Sequence, residues 1–199
     1  MEFNKNTISL TGTLKNNFWE FSHEGRNGVF CRNYLKVKRL SDYEDQIEVV
    51  LPKSYLDNLE KLGRSIPERV NFTGAVRAHS YFDDEQRRHL RVYVDAKMAT
   101  IINLKDDINR VELEGTICRL QPARETPFGR RISDFSLAVN RGKFTDYIPC
   151  IAWGPQADLV QLIDTGAKVS LSGRLQSRIY FKDGQERVAY EVSVKSITI

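Results

Sequence analysis

The chain has 199 residues, 41% of them hydrophobic and 28% charged, with 30 basic and 26 acidic side chains and a formal net charge of +4. That mix is ordinary for a globular protein and the length suits one large domain or two small ones. No apolar run nears the ~20 residues a membrane span needs, and the mild cationic excess permits an anionic partner without demanding one.

From the N-terminus, MEFNKNTISL lacks the apolar core of a leader peptide, so a cytoplasmic protein is expected. Asn6-Thr-Ile-Ser-Leu-Thr-Gly-Thr-Leu14 then opens a pattern that returns as Asn109-Arg-Val-Glu-Leu-Glu-Gly-Thr-Ile117, an offset of 103. Leu35, Val37 and Arg39 return as Leu137, Val139 and Arg141, and Asp45 and Ile47 as Asp146 and Ile148. Pro52-Lys-Ser-Tyr-Leu-Asp-Asn-Leu-Glu-Lys-Leu62 has its counterpart in Pro155-Gln-Ala-Asp-Leu-Val-Gln-Leu-Ile163. Val70-Asn-Phe-Thr-Gly74 returns as Val169-Ser-Leu-Ser-Gly173, and Tyr81-Phe82 as Tyr180-Phe181, the offset having fallen to 99. Ordered matches of this kind mark an internal duplication. The expected boundaries are a first domain at 1–102, a polar connector at 103–108 and a second domain at 109–199.

Each copy reads mostly as strand. Val111, Leu113, Gly115 and Ile117 alternate with polar residues, as do Phe135, Leu137 and Val139, then Val169, Leu171, Gly173 and Leu175, then Tyr190, Val192 and Val194. Between them, Pro155 near the start of an apolar spacing through Ala157, Leu159, Val160, Leu162 and Ile163 suits a short helix. Three strands, a helix and two strands is the order of a five-stranded OB barrel, so the expected fold is all-β with short helices, two tandem OB barrels. Gly12, Gly74, Gly115 and Gly173 sit in phase with the apolar face, where a small barrel must coil sharply.

The second copy resembles the bacterial single-stranded DNA-binding proteins. The resemblance is carried by Asn109-Arg-Val-Glu-Leu-Glu-Gly115, Phe135-Ser-Leu-Ala-Val-Asn-Arg141, Asp146-Tyr-Ile-Pro-Cys-Ile-Ala-Trp-Gly154, Gly166 to Tyr180, and Asp183-Gly-Gln185. The first copy is more divergent, with Gln46 in place of Tyr147 and Pro52 in place of Trp153. The resemblance implies a non-catalytic protein without cofactor that coats single-stranded DNA in replication, recombination or repair, associated with the bacterial nucleoid. It also implies a homodimer that presents four OB folds. The family's flexible tail with an acidic tip has no counterpart in Ser193-Val-Lys-Ser-Ile-Thr-Ile199, so tail-mediated partner recruitment is not expected.

Binding of unpaired nucleic acid without regard to sequence needs aromatic faces for the bases and cations along the phosphates. The resemblance places stacking rings at Tyr147, Trp153 and Tyr180, with Phe144 a further candidate and Tyr81 the first-copy counterpart of Tyr180. Tyr147 and Trp153 share one face of a strand by their even spacing, with Ile148 and Cys150 on the core side; a core or interface tryptophan is the alternative for Trp153. Phe128, beside Gly129, suits either exposure or a cap on the barrel. Arg119, Arg130, Arg141, Lys143, Arg174 and Arg178 are the candidate phosphate contacts, in a half that carries 13 basic and 10 acidic residues after Ile108, against 17 and 16 before it. Trp19 suits base stacking or a contact between barrels, and first-copy binding stays open. The Tyr81-Phe-Asp-Asp-Glu-Gln-Arg-Arg88 hairpin carries acids expected to repel phosphate.

Two other functions compete. One is an accessory scaffold of replication restart that acts through protein contacts. The other is a metal-dependent nuclease built on Asp83, Asp84 and Glu85, but consecutive acids point in different directions and read better as turn chemistry. Cys31, Cys118 and Cys150 are odd in number and far apart, without CxxC spacing or a histidine pair from His23, His79 and His89, so neither disulfides nor a metal site is expected.

Overall fold

The computed structural model describes residues 4–15, 17–22, 28–101, 106–182 and 184–199. His23, Asp183 and residues 103–105 of the expected connector lie outside them. The elements run β1 (Asn6–Leu14), β2 (Trp19–Ser22), β3 (Val29–Lys38), β4 (Glu44–Pro52), α1 (Lys53–Lys61), β5 (Arg69–Phe82) and β6 (Arg88–Thr100). They continue with β7 (Asn109–Cys118), β8 (Arg124–Glu125), β9 (Arg131–Arg141), β10 (Phe144–Trp153), α2 (Pro155–Gln161), β11 (Lys168–Lys182) and β12 (Gln185–Thr198). No described helix is long and apolar enough to cross a membrane.

The strand order of the first set is β2-β3-β4-β6-β5-β1, and β1 also pairs with β3. The second set runs β7-β11-β12-β10-β9-β8, and β7 also pairs with β9. Each set therefore closes five strands into a barrel. The third and fifth barrel strands run parallel, β4 with β6 and β10 with β12. The β1–β5, β3–β4, β7–β11, β9–β10 and β11–β12 ladders are antiparallel, as are the closures β1–β3 and β7–β9. That is the OB topology. The short β2 and β8 add to the edge of their sets.

The chain divides into two compact units. One holds residues 8–75 and 93–109. The other holds 110–199 together with the outer part of the β5–β6 hairpin, residues 76–92, and the N-terminal residues up to Thr7. In the second unit Val111, Leu113, Ile117, Leu137, Val139, Ile148 and Leu175 fill the barrel, all nearly inaccessible. Leu10, Leu35, Ile47, Val70 and Phe72 do the same in the first. The period-two alternation of the sequence becomes an inward and an outward row most clearly on β7 and β9, whereas β4 and β10 end in runs buried on both faces.

The in-phase glycines have a steric cause. A Cβ on Gly115 would lie 2.5 Å from the carbonyl oxygen of Ala138, and one on Gly173 2.3 Å from that of Ser193. Gly12 and Gly74 repeat the arrangement against Lys36 and Asp95. Where the barrel coils, a neighbouring strand's backbone occupies the space a side chain would need.

Pro155 opens α2 as expected, after Gly154 in the left-handed region at φ 53. Only one side of that short helix is buried, through Ala157 and Val160, followed by Ile163; Leu159 faces outward and Leu162 is 82% exposed. α1 buries no residue fully and ends at Gly63, whose N–H donates to the Glu60 carbonyl at 2.8 Å.

Candidate nucleic-acid interface

The unit that contains the second barrel carries an open trough of about 800 Å³. β9 and β10 line it with Ser136 and Pro149, the β11–β12 hairpin with Arg178, Tyr180, Arg187 and Tyr190, and the β6 start with Arg88, His89 and Leu90. A recess of about 440 Å³ adjoins it and reaches Thr145 and Tyr147. Both are lined by Arg88, His89, Leu90, Arg119 and Ser136, so they form one continuous furrow.

The balance of charge in the furrow is decided by pairing. Among the described residues its acids are Asp134 and Glu191, and each faces a cation: Arg124 Nη2 lies 2.7 Å from Asp134, and Arg178 Nε 3.5 Å from Glu191. Arg87 is held by Asp83 at 2.9 Å and Glu85 at 2.8 Å. Among the described residues, Arg88, Arg119 and Arg187 pair with no carboxylate. Three guanidiniums thus keep donors for a ligand anion, and guanidinium–phosphate hydrogen bonds are charge-assisted.

The flat surfaces lie beside those cations. Tyr147 is 45% exposed on β10, and the Arg119 guanidinium stands 5.3 Å from its ring centroid. Tyr180 is half-buried, with Arg178 at 5.9 Å. Arg119 follows the end of β7 in the left-handed region, at φ 51. A non-glycine residue there costs roughly 1–2 kcal/mol. That conformation turns the chain so that the side chain reaches Tyr147.

Glu191 is buried on β12, and that burial raises its carboxyl above the usual range against the pull of Arg178. A carboxyl raised in the folded state makes stability fall as pH climbs from 4.5 through the folded value, because the native state there must give up a proton it holds more tightly than the unfolded chain does. Glu191→Gln is therefore expected to raise the denaturation midpoint at pH 7, with the gain shrinking as pH is lowered toward 4.5. Urea titrations at several pH values check this.

Four of the residues singled out from the sequence, Tyr147, Tyr180, Arg119 and Arg178, line the furrow. The others do not. Ile148 and Cys150 point to the core as expected, but the outward row Tyr147, Pro149, Ile151, Trp153 is interrupted by Ile151, which is 1% exposed. Even spacing thus leaves half-buried Trp153 off the Tyr147 surface. Phe144 is exposed under Arg141, 4.7 Å away, and Arg141 Nε itself bonds Asp146 Oδ2 at 3.1 Å. Lys143 and Arg130 stand exposed beside the turns at Gly142 and Gly129, and Arg174 is exposed on β11. Phe128 is 91% exposed, which settles it as a loop tip. Tyr81 stacks on His89 with centroids 5.4 Å apart. Trp19 packs edge-on to Tyr34 at 6.3 Å.

Arg88, His89 and Arg187 are furrow residues that the sequence pattern does not single out. The acids of the β5–β6 turn, on sequence alone, count against its basic residues. In the structure Asp83 accepts from the backbone N–H of Arg87 (2.8 Å) and of Glu85 (3.0 Å), and from Arg87 Nε; His89 Nε2 lies 2.7 Å from it. The Arg87 backbone contact first, and then His89, hold this carboxyl well below its ordinary range. Its charge is spent inside the turn. The Arg-Arg step that opens β6 is the signal the sequence offers for this edge.

The model of the single-strand binding protein family matches residues 108–199. Single-stranded DNA-binding protein 1 of Streptococcus agalactiae (serotype III, strain NEM316) is 37% identical over 89 residues, which is 41% of this chain and 55% of that protein. Single-stranded DNA-binding protein A of Bacillus subtilis (strain 168) is 36% identical over 100 residues, 45% of this chain and 58% of that protein. The chain thus spans little more than half the length of these relatives. The crystal structure of the wild-type single-stranded DNA binding protein from Thermus aquaticus superposes with a TM-score of 0.72 at 19% identity, over 99% of this chain and 93% of that one. A deletion mutant of the same protein gives 0.73, also at 19% identity, over 100% and 95%. At that identity the likeness speaks for the fold, which extends over both barrels.

Proposed function

Residues 108–199 match the model of the single-strand binding protein family, and from that match we propose that the chain is a member and binds single-stranded DNA, without catalysis and largely without regard to base sequence, in replication, recombination or repair. The observation that carries this reading is the furrow itself: Arg119 and Arg187, without carboxylate partners among the described residues, lie beside the rings of Tyr147 and Tyr180. Rings accept any base on their faces and cations follow any backbone, so such a surface discriminates by strandedness rather than sequence. Arg141, Lys143, Arg130, Arg174, Phe144, Trp153 and Tyr81 then serve as outlying contacts for a strand that leaves the furrow. The repeats 1–102 and 109–199 suit a homodimer with four barrels, acting in the cytoplasm on the nucleoid.

A fluorescence titration with oligo-dT, duplex DNA and poly-U tests the reading. Tight binding of oligo-dT over duplex is expected, with log affinity falling against log salt by about 0.7 per phosphate contact. Duplex bound as tightly as oligo-dT, or no salt dependence, would overturn it.

A further inference from the structure

We propose that the β5–β6 hairpin of the first copy forms one side of the DNA furrow of the second, with Arg88 as a phosphate contact and Asp83 as the residue that positions it. This rests on the single-stranded DNA reading above.

Residues 76–92 belong to the same compact unit as 110–199. They are anchored at the base. Asn6 exchanges two hydrogen bonds with the Val76 backbone, at 2.8 and 2.9 Å. Asp146, 3% exposed, accepts from Arg77 Nη1 at 3.1 Å and from the Ala78 N–H at 3.2 Å. At the far end the turn is locked by Asp83, whose two oxygens are shared among two backbone donors, Arg87 and His89. A hairpin fixed at both ends presents its side chains in one geometry.

What it presents suits a nucleic-acid backbone. Arg88 lines both parts of the furrow together with Arg119, and among the described residues its guanidinium makes one hydrogen bond, from Nη2 to Ser80 Oγ at 3.0 Å. A guanidinium has five donors, so about four remain for an anion. Leu90, 47% exposed, offers apolar surface next to that cation, and the stacked His89–Tyr81 pair offers flat rings. Of the acids that make the hairpin look hostile to phosphate, Asp83 organises the turn and Glu85 is paired with Arg87, which leaves the exposed Asp84 at the turn. Neither copy then holds the strand alone. The second supplies Tyr147, Tyr180, Arg119 and Arg187, and the first supplies Arg88 from its hairpin.

The test uses the full chain and oligo-dT over a range of salt. Arg88→Ala is expected to weaken binding about tenfold at low salt, as loss of a hydrogen bond to a charged group should, and to lower the log–log salt slope by about 0.7. Arg88→Lys keeps the slope. Lys195→Ala, the same change of charge at an exposed position outside the furrow, leaves both affinity and slope at the wild-type value. Asp83→Ala removes a negative charge, so a purely electrostatic role would tighten binding; positioning predicts that it weakens binding, and that Asp83→Asn, which keeps an acceptor for the turn, recovers most of the loss. Wild-type affinity and slope for Arg88→Ala, with an unchanged melting curve, would overturn the contact. Tighter binding by Asp83→Ala would overturn the positioning role. Either result would leave the broader reading standing if Tyr147→Ala still impairs binding, whereas failure of the wild-type chain to bind oligo-dT would remove that reading instead.

Discussion

Tyr147→Ala is expected to weaken binding of oligo-dT by about 5- to 150-fold, the range that ~1–3 kcal/mol per stacked base implies. Tyr147 is the ring that combines exposure, a cation at 5.3 Å and a place in the furrow lining. Tyr147→Phe keeps the face and should bind nearly as the wild type does, which separates stacking from hydrogen bonding by the hydroxyl. Arg119→Gly sharpens the result. It removes a phosphate donor and a left-handed non-glycine residue together. Relief of roughly 1–2 kcal/mol of backbone strain offsets the roughly 0.5–1 kcal/mol that a flexible glycine costs. Affinity should fall while the denaturation midpoint holds. A parallel fall in stability and affinity would show that Arg119 acts through the fold. Trp153→Ala, off the furrow, should cost less affinity than Tyr147→Ala in the same titration.

The largest stability effect is expected at Asp146. Its carboxylate is buried, bonds Arg77 and Arg141 at 3.1 Å each and accepts the Ala78 N–H. Truncation to alanine takes a buried carboxylate away from the Arg77 and Arg141 guanidiniums, the Arg77 side chain being only 16% exposed, and removes the acceptor of the Ala78 N–H. Breaking a buried pair from one side costs ~3–5 kcal/mol, visible as a lower urea midpoint. Asp146→Asn keeps the acceptor for Ala78 and should lie between. Because the same carboxylate anchors the β5–β6 hairpin, Asp146→Ala should also reduce oligo-dT affinity under conditions where the chain remains folded. The first barrel keeps a matching pair, Asp45 with Arg39 at 2.6 and 2.7 Å. The sequence repeat aligns both members, Arg39 with Arg141 and Asp45 with Asp146, but one-dimensional matching does not say that the two aligned columns bind each other. Arg141, a candidate phosphate contact on sequence, proves to be bound to a buried carboxylate.

The strands are legible in the sequence for a simple reason. Alternation of apolar and polar side chains is a local property, set by which face of a strand each residue occupies, and duplication prints it twice. Gly12, Gly74, Gly115 and Gly173 can be placed on the inner face from their phase alone, and the family resemblance brings Tyr147 and Tyr180 forward as rings for bases. Exposure, pairing and neighbourhood are not local. Trp153 shares a face with Tyr147 by spacing, yet Ile151 between them is covered. Leu162 keeps a helical spacing beyond a helix too short to bury it. Composition and periodicity thus determined two OB barrels and a moderately basic second half. Only tertiary structure decided which cations are left over for an anion, because a charge is cancelled or kept by what packs against it: Asp83 turns inward upon its own hairpin, while Arg88, from the first copy of the repeat, stands with Arg119 in one furrow.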